Sequence, residues 1–497
     1  MTTHTIPHWL DKRAHLTPDK VAVYFKDQAV TFQQLQRQSF IFAQQLSTIG
    51  IQQGHHVAVY AHNSLDLVRL IHALSYIGAV GVFLNTRLTR DEISFQIKDA
   101  KCSYILYEQS SQEFLGSIEE EGSLAGYAMS TIHSLEETPF NRVEEINLSH
   151  LHSILYTSGT TGNPKGVMLS YGNHWWSAVS SALNLGLSEE DEWLASLPLF
   201  HVGGMSILFK SVIYGMPVHL YESFDPEHVH EAIMEKGVTM VSVVSVMLNK
   251  LLQLLPPSEG YPQAFRCMLL GGGPAPKPLL EEAHAKNVPV IQTFGMTETA
   301  SQIVTLSAAD ALHKLGSAGK PLFPAQIKIE DNNQKQPPNE VGEIVVKGPM
   351  VTEGYFERPE ANEKSITTDG WLYTGDLGYV DEEGFVYVVD RRKDLIISGG
   401  ENIYPAEIEG ALQGHKDIIE AGVVGKLDER WGQVPVAFIV AEEDYLSIDD
   451  IQVYLQDKLA KYKIPKHFYF VKALPRTASN KVKRRVLADW LKKKEES

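Results

Sequence analysis

Short β-branched runs that alternate with longer, capped amphipathic stretches constrain this chain more than any other feature. Residues 21–25 and 56–61 read as strands, and residues 32–49 as a helix opened by the capping box Thr31-x-x-Gln34. A second box, Thr89-x-x-Glu92, starts another helix, and residues 103–107 follow as a buried strand. This alternation predicts a parallel sheet covered on both faces. The pattern resumes at residues 240–245, 267–270 and 288–293, apolar runs that end in glycine-rich or polar turns. An open α/β sheet places its ligands in such turns, beyond the carboxyl ends of its strands. From Gly316 to about Asp390 the texture changes to short strands punctuated by Gly and Pro, such as GEIVVKG and GFVYVVD, which predicts a small β-rich subdomain.

A chain of 497 residues exceeds one typical core, and no internal repeat divides it. The expected fold class is α/β multidomain. A large N-terminal domain, residues 1–392, would hold two doubly wound α/β subdomains and the β-rich one, and a small α+β domain would span 393–497. The boundary falls near Lys393, in RRKDLIISGGENIYPAEIE, where a charged, short segment suits a hinge and equally a tight turn between two strands.

The net charge of −17 opposes a broad surface for nucleic acid, although lysines and arginines crowd between Lys458 and Arg485 and could face an anionic small molecule. Cys102 and Cys267 stand apart and outside any CxxC pattern, as expected of reduced thiols in a cytoplasmic protein. The first twenty residues have no charged start followed by an apolar run, so a secretory signal is not expected, and no run approaches the ~18 apolar residues of a membrane span. The nineteen histidines include no HExxH, so a protein-caged zinc is not expected. A homo-oligomer is left open by all of this.

The strongest local motif is YTSGTTGNPKG, residues 156–166, directly after the apolar run LHSILY. Gly159, Gly162 and Gly166 let backbone amides approach a phosphate, the hydroxyls of Thr157, Ser158, Thr160 and Thr161 add donors, and Lys165 adds charge. A nucleotide triphosphate loop of a type other than Walker A is the reading, since GxxxxGK followed by Ser or Thr cannot be fitted. GGGPAP, from Gly271 and Gly272 through Gly273 to Pro276, fails the dinucleotide fingerprint at its last position. No GxSxG nucleophile elbow occurs.

FGMTET, YTGDLG, DRRKDLIISGGENIYPAEIE and PRTASNKVKR follow in order. With the loop, they identify the chain as resembling the adenylate-forming superfamily of acyl-CoA synthetases, adenylation domains and luciferase, over nearly its whole length. The resemblance implies an ATP-dependent acid–thiol ligase with ATP, Mg2+ and coenzyme A as its cofactors and cosubstrates. By that resemblance, Lys481 is the mobile catalytic lysine at the substrate carboxylate and α-phosphate, Glu298 is the magnesium ligand, and Thr297 contacts the α-phosphate. Asp376 and Arg391 would hold the ribose, where an ordinary ion pair between them is the plain alternative. Adenine would lie against Phe294, Gly295 and Met296 on one side and the turn of Gly271, Gly272 and Gly273 on the other. Phe200 and His201 would gate the acyl pocket. For the second half reaction the small domain would swing about Lys393, bringing Ser398, Gly399, Gly400 and Trp431 towards a coenzyme A channel.

GNHWWSAVSSALNLG, LPLFHVGGMSILFKSVIYGM and GMTETASQIVTLS resemble most closely the branch of the family that activates o-succinylbenzoate in menaquinone biosynthesis. An aromatic dicarboxylate needs an apolar pocket and a counterion for its distal carboxylate. Lys210, in an otherwise apolar helical run, offers that charge or else snorkels to the surface along its own stem. Ser301 and Gln302 would add polar contacts. Alternatives are a ligase for another aryl or medium-chain acid, a carrier-protein-loading enzyme, for which sixteen residues after Lys481 leave no fused carrier, and a nucleotide-binding module without chemistry.

Overall fold

A computed structural model describes residues 5–119, 124–157, 164–256, 259–273, 275–311, 313–391, 394–398, 401–428, 431–441, 446–456, 458–459, 461–476 and 482–495. Both predicted capping boxes form. Thr31 and Gln34 exchange bonds of 2.9 and 3.2 Å at the start of Phe32–Thr48, and Thr89 and Glu92 do the same at 2.8 and 3.4 Å before Arg90–Asp99. Phe32, Leu35, Phe42 and Leu46 then fall on one face of the first helix and are fully buried against Leu67, Leu70 and Leu74 of Leu65–Ile77. Each such side chain contributes roughly 1.5–3 kcal/mol through burial.

The first sheet has the order Lys165–Ser170, Leu151–Thr157, Val80–Phe83, His56–Tyr60, Tyr104–Tyr107 and Ala125–Ala128, and it is parallel except at its first pair. A parallel return takes a dozen or more residues, and residues 158–164 are too few, so Lys165–Ser170 runs antiparallel. The second sheet has a parallel centre of Val290–Met296, Cys267–Leu270, Met240–Val243, Trp193–Ala195, Val218–Leu220 and Val21–Phe25. Short turns add antiparallel neighbours at both sides, Ser301–Thr305 and Gln28–Thr31. The expected parallel sheets are therefore mixed ones with parallel centres.

Five antiparallel strands, from Gln326–Asp331 to Val386–Arg391, form the β-rich subdomain. In the C-terminal part, Gly432–Ala441 pairs with Ile418–Asp428, Ile396–Ser398 and His467–Phe470, and the helices Pro405–Gln413, Ile448–Gln456 and Arg484–Glu495 pack on that sheet. The architecture is a large N-terminal α/β domain and a smaller C-terminal α+β domain. At their junction the Ala406 amide donates to Asp390 Oδ2 at 2.8 Å, and Arg484 reaches Asp394 at 3.3 Å and Glu409 at 2.6 Å. Among the described residues no helix is long and apolar enough to cross a membrane.

Candidate active site

The carboxyl ends of the parallel strands open onto a cleft of about 3060 Å³, walled also by the β-rich subdomain and the C-terminal domain. Of the sequence-predicted nucleotide residues, Thr157, Lys165, Gly271, Gly272, Gly273, Phe294, Gly295, Met296, Thr297, Glu298 and Asp376 line it. So do all five predicted acid-pocket residues, Phe200, His201, Lys210, Ser301 and Gln302. Arg391 stands opposite Asp376 in the strand register. Ser158, Gly159, Thr160, Thr161, Gly162, Lys393, Gly399, Gly400 and Lys481 lie outside the described residues. Two predicted channel residues stay out of the cleft wall: Ser398 is buried opposite Gly432, and Trp431 is exposed at the turn before Gly432–Ala441.

A tight turn presents Glu298. Val290–Met296 leads through Thr297–Thr299 into Ser301–Thr305, with Ala300 at φ 50° and Ser301 at φ 104°, both in a region that L side chains avoid. Hydrogen bonds hold that backbone in place: Thr299 Oγ1 donates to Ser301 O at 2.8 Å, and Ser177 Oγ donates to Ala300 O at 2.7 Å. Gly295 is required beside it, because a Cβ there would stand 1.8 Å from Ser301 O. Glu298 is buried, and its Oε1 accepts a 3.0 Å bond from the Tyr355 hydroxyl. Burial and this carboxylate both push the Tyr355 pKa up, so the hydroxyl keeps its proton and donates. Lys165 Nζ lies 4.8 Å from the centroid of the same Tyr355 ring, which brings the phosphate-loop lysine beside the carboxylate turn.

Helix Val202–Tyr214 follows the predicted acid-pocket residues Phe200 and His201 and carries Lys210. It starts tight against the preceding loop, since a Cβ on Gly204 would meet Pro198 O at 2.4 Å. His201 is its N-cap residue, with its ring against Phe200 at 4.7 Å between centroids. Gly203, Ser206 and Lys210 follow at helical spacing on one face. Adjacent residues of a regular strand point to opposite sides. The φ of Ser301 interrupts that alternation, and both Ser301 and Gln302 meet the helix: Ser206 Oγ donates to Ser301 Oγ at 3.4 Å, and Lys210 Nζ donates to Gln302 Oε1 at 2.7 Å.

Lys210 does not snorkel. It is 1% exposed, with Nζ 4.9 Å above the Trp193 ring. No carboxylate of the described residues pairs with it, and burial lowers its pKa from the ordinary 10.5 to about 7. Gln302 is buried as well; its Oε1 also accepts from Ser181 Oγ at 2.9 Å and its Nε2 donates to Thr305 Oγ1 at 3.2 Å, so the amide cannot turn away. The arrangement is a buried amine held by a fixed amide, in the wall of the same cleft as Thr297 and Glu298. The thiols are inert by comparison: burial pushes Cys102 and Cys267 up to about 12.

Comparison with known proteins shows the family. Residues 10–356 match the model of the AMP-binding enzymes, and residues 407–481 match that of the AMP-binding enzyme C-terminal domain. The 2-succinylbenzoate–CoA ligase of Bacillus cytotoxicus is 53% identical, over 99% of this chain and 100% of that protein. The chain belongs to the AMP-binding enzyme family. Among solved structures, the o-succinylbenzoate CoA synthetase of Bacillus subtilis in complex with the acyl-adenylate intermediate OSB-AMP superposes with a TM-score of 0.93, at 46% identity, over 97% of this chain and 98% of that one. The same Bacillus subtilis enzyme in complex with ATP and magnesium ion gives 0.92 at 47% identity, over 98% and 100%.

Sequence reasoning missed several residues that this AMP-binding enzyme brings to the cleft. Tyr355 is 57 positions from Glu298, and Trp193, buried behind the cleft wall against Lys210, lies on a strand with no motif of its own. Glu343 Oε1 accepts the Gly375 amide at 2.9 Å and so shapes the turn that carries Asp376. Only tertiary pairing brings these together, and no local spacing announces them.

Proposed function

We propose that the chain is an ATP-dependent 2-succinylbenzoate–CoA ligase, an AMP-forming acid–thiol ligase acting in menaquinone biosynthesis. The observation that carries the choice of acid is Lys210: a buried amine that no carboxylate of the described residues pairs, in the wall of the same cleft as the nucleotide motifs. A dicarboxylate supplies two anionic ends, one for the reaction and one for this lysine.

In the first half reaction a carboxylate oxygen attacks the α-phosphorus of ATP, an acyl-AMP mixed anhydride forms and pyrophosphate leaves. Negative charge gathers on the phosphates as this happens, so cations and oriented amides must already be aimed there. We assign the β- and γ-phosphates to the loop of Thr157, Ser158, Gly159, Thr160, Thr161, Gly162 and Lys165, and the α-phosphate to Thr297 and to Lys481, the latter on its motif alone. Asp376 and Arg391 take the ribose; Phe294, Gly295, Met296 and the 271–273 turn take adenine. Phe200 and His201 enclose the reacting carboxylate, with Ser301, Gln302 and Lys210 beyond.

Glu298 suits Mg2+. It is a hard oxygen donor held by Tyr355 in the wall of the cleft, and among the described residues no group of three His, Cys, Asp or Glu side chains makes a cage. A cation held by one carboxylate keeps most of its waters and travels with the phosphates, as magnesium does. When bound, it neutralises phosphate charge.

In the second half reaction the coenzyme A thiol attacks the acyl carbon and AMP leaves. The two steps need different neighbours at one site, so we propose that the domain from residue 393 onwards swings about Lys393 and brings Ser398, Gly399, Gly400 and Trp431 to the thiol's approach. This accounts for Ser398 and Trp431 standing outside the cleft wall in the present arrangement. The two free thiols suit a reducing cytoplasm. The test is product formation with ATP, Mg2+ and coenzyme A across a panel of acids. o-Succinylbenzoate is expected to yield AMP and its thioester with the highest kcat/KM; a higher value for a monocarboxylic aryl or fatty acid moves the chain to another ligase class.

A further inference from the structure

We infer that the distal carboxylate enters its pocket together with a proton: the Lys210 amine takes one up from solvent as the diacid binds, so preference for a diacid over a monoacid weakens as pH rises. This rests on the substrate reading above and adds to it a proton that the overall reaction does not show.

The geometry leaves the empty pocket without a stable place for an ammonium. Lys210 is 1% exposed, its hydrogen-bond partner is the neutral amide of Gln302 at 2.7 Å, and the other face of Nζ meets the Trp193 ring at 4.9 Å. Neither neutralises a full charge, and a buried ammonium without a counterion releases its proton instead. Among the described residues the surrounding elements offer no substitute anion, since the buried Asp191 pairs with Arg266 at 2.6 Å. Cys267, two strands along the sheet from Trp193, acts on Lys210, but burial keeps it protonated, with its pKa pushed up to about 12. On the neighbouring helices stand His174, lowered to about 3 and therefore neutral, and Arg13, which donates to the carbonyl oxygens of Val212 and Ile213 at the far end of the helix. Glu192 and His219 pair with each other at the strand edge, at 2.5 Å.

Burial alone thus places the amine at about 7, and a carboxylate arriving against it restores the ordinary preference for the charged form. The step balances simply: one proton passes from water or buffer to the Nζ lone pair, and the ammonium gains a donor that the carboxylate accepts. Trp193 and Gln302 already hold the other sides of the nitrogen and favour the cation once its charge is matched.

The experiment measures KM between pH 7 and 9 for o-succinylbenzoate and for its monoacid counterpart 3-benzoylpropionate, which lacks the ring carboxylate. Both acids are fully ionised throughout, since carboxylic acids titrate near pH 4. The KM for o-succinylbenzoate is expected to rise about five-fold from pH 7 to 8 and by close to ten-fold per unit beyond, while that for 3-benzoylpropionate stays flat. In Lys210→Met the diacid KM is raised at pH 7 and its slope is lost. A flat diacid KM in the native enzyme, with o-succinylbenzoate still the better substrate, overturns the proton link and leaves the substrate reading standing. Equal slopes for both acids assign the titration to the nucleotide end and also overturn it. If o-succinylbenzoate is not adenylated at any pH, the substrate reading fails first and takes the proton link with it.

Discussion

Replacing Lys210 by methionine is expected to stabilise the protein while blinding its pocket. Methionine has nearly the same length and needs no counterion, and Gln302 Oε1 keeps the bond from Ser181. The size of the effect follows from the displaced titration. Holding the amine at about 7 instead of 10.5 corresponds to ~5 kcal/mol for the fully charged form, and to ~4 kcal/mol at pH 7, where the group is half protonated. The sign is that of a base whose folded pKa is depressed: the penalty is complete below about pH 7 and vanishes above 10.5. Loss of the lysine bond to Gln302 offsets about 1 kcal/mol. Thermal unfolding of both proteins from pH 6.5 to 10 is the assay. The midpoint of Lys210→Met should exceed that of the native chain by several degrees at pH 7, and the gap should close as pH rises. A variant less stable at pH 7, or a gap independent of pH, refutes the reasoning that this lysine sits uncompensated.

Glu298→Gln should lower adenylate formation by ~10²–10³-fold and raise the magnesium requirement, with an unfolding midpoint close to the native one because the amide oxygen still accepts from Tyr355. Gly295→Ala should cost more than ~2 kcal/mol and most of the activity, since its methyl group would collide with Ser301 O; circular dichroism melting and turnover together check it. Lys481→Ala should abolish adenylation yet spare thioester formation from preformed adenylate, which single-turnover assays of each half reaction separate. Burial lowers His8 to about 4 and both His72 and His174 to about 3, so each contributes stability above its unfolded value of 6.5 that is lost as pH falls below it. Unfolding midpoints should therefore drop steeply below pH 6, and His72→Leu should flatten that slope.

What could be read from the sequence was local or ordered along the chain. A capping box is an i to i+3 event, so Thr31 with Gln34 and Thr89 with Glu92 announce themselves, and the strand 267–270 has the same bounds in sequence and structure. The nucleotide motifs were legible because each is a contiguous run. The mixed sheets were less so, because the direction of Ser301–Thr305 depends on a strained turn that its residue types do not require. Lys210 had two equal readings in one dimension, and the decision lies with Gln302, 92 positions away, and with Trp193 beneath it. The buried histidines 8, 72, 152 and 174 are likewise ordinary until the fold brings Trp9–Leu16, Leu65–Ile77 and Tyr171–Leu185 together around them.

The most direct test of the catalytic claim is exchange of labelled pyrophosphate into ATP with coenzyme A withheld, one carboxylic acid at a time. Label should enter ATP when o-succinylbenzoate is present and should fall away with monoacids at equal concentration. Absence of exchange with every acid offered would mean that the cleft does not form an acyl-adenylate.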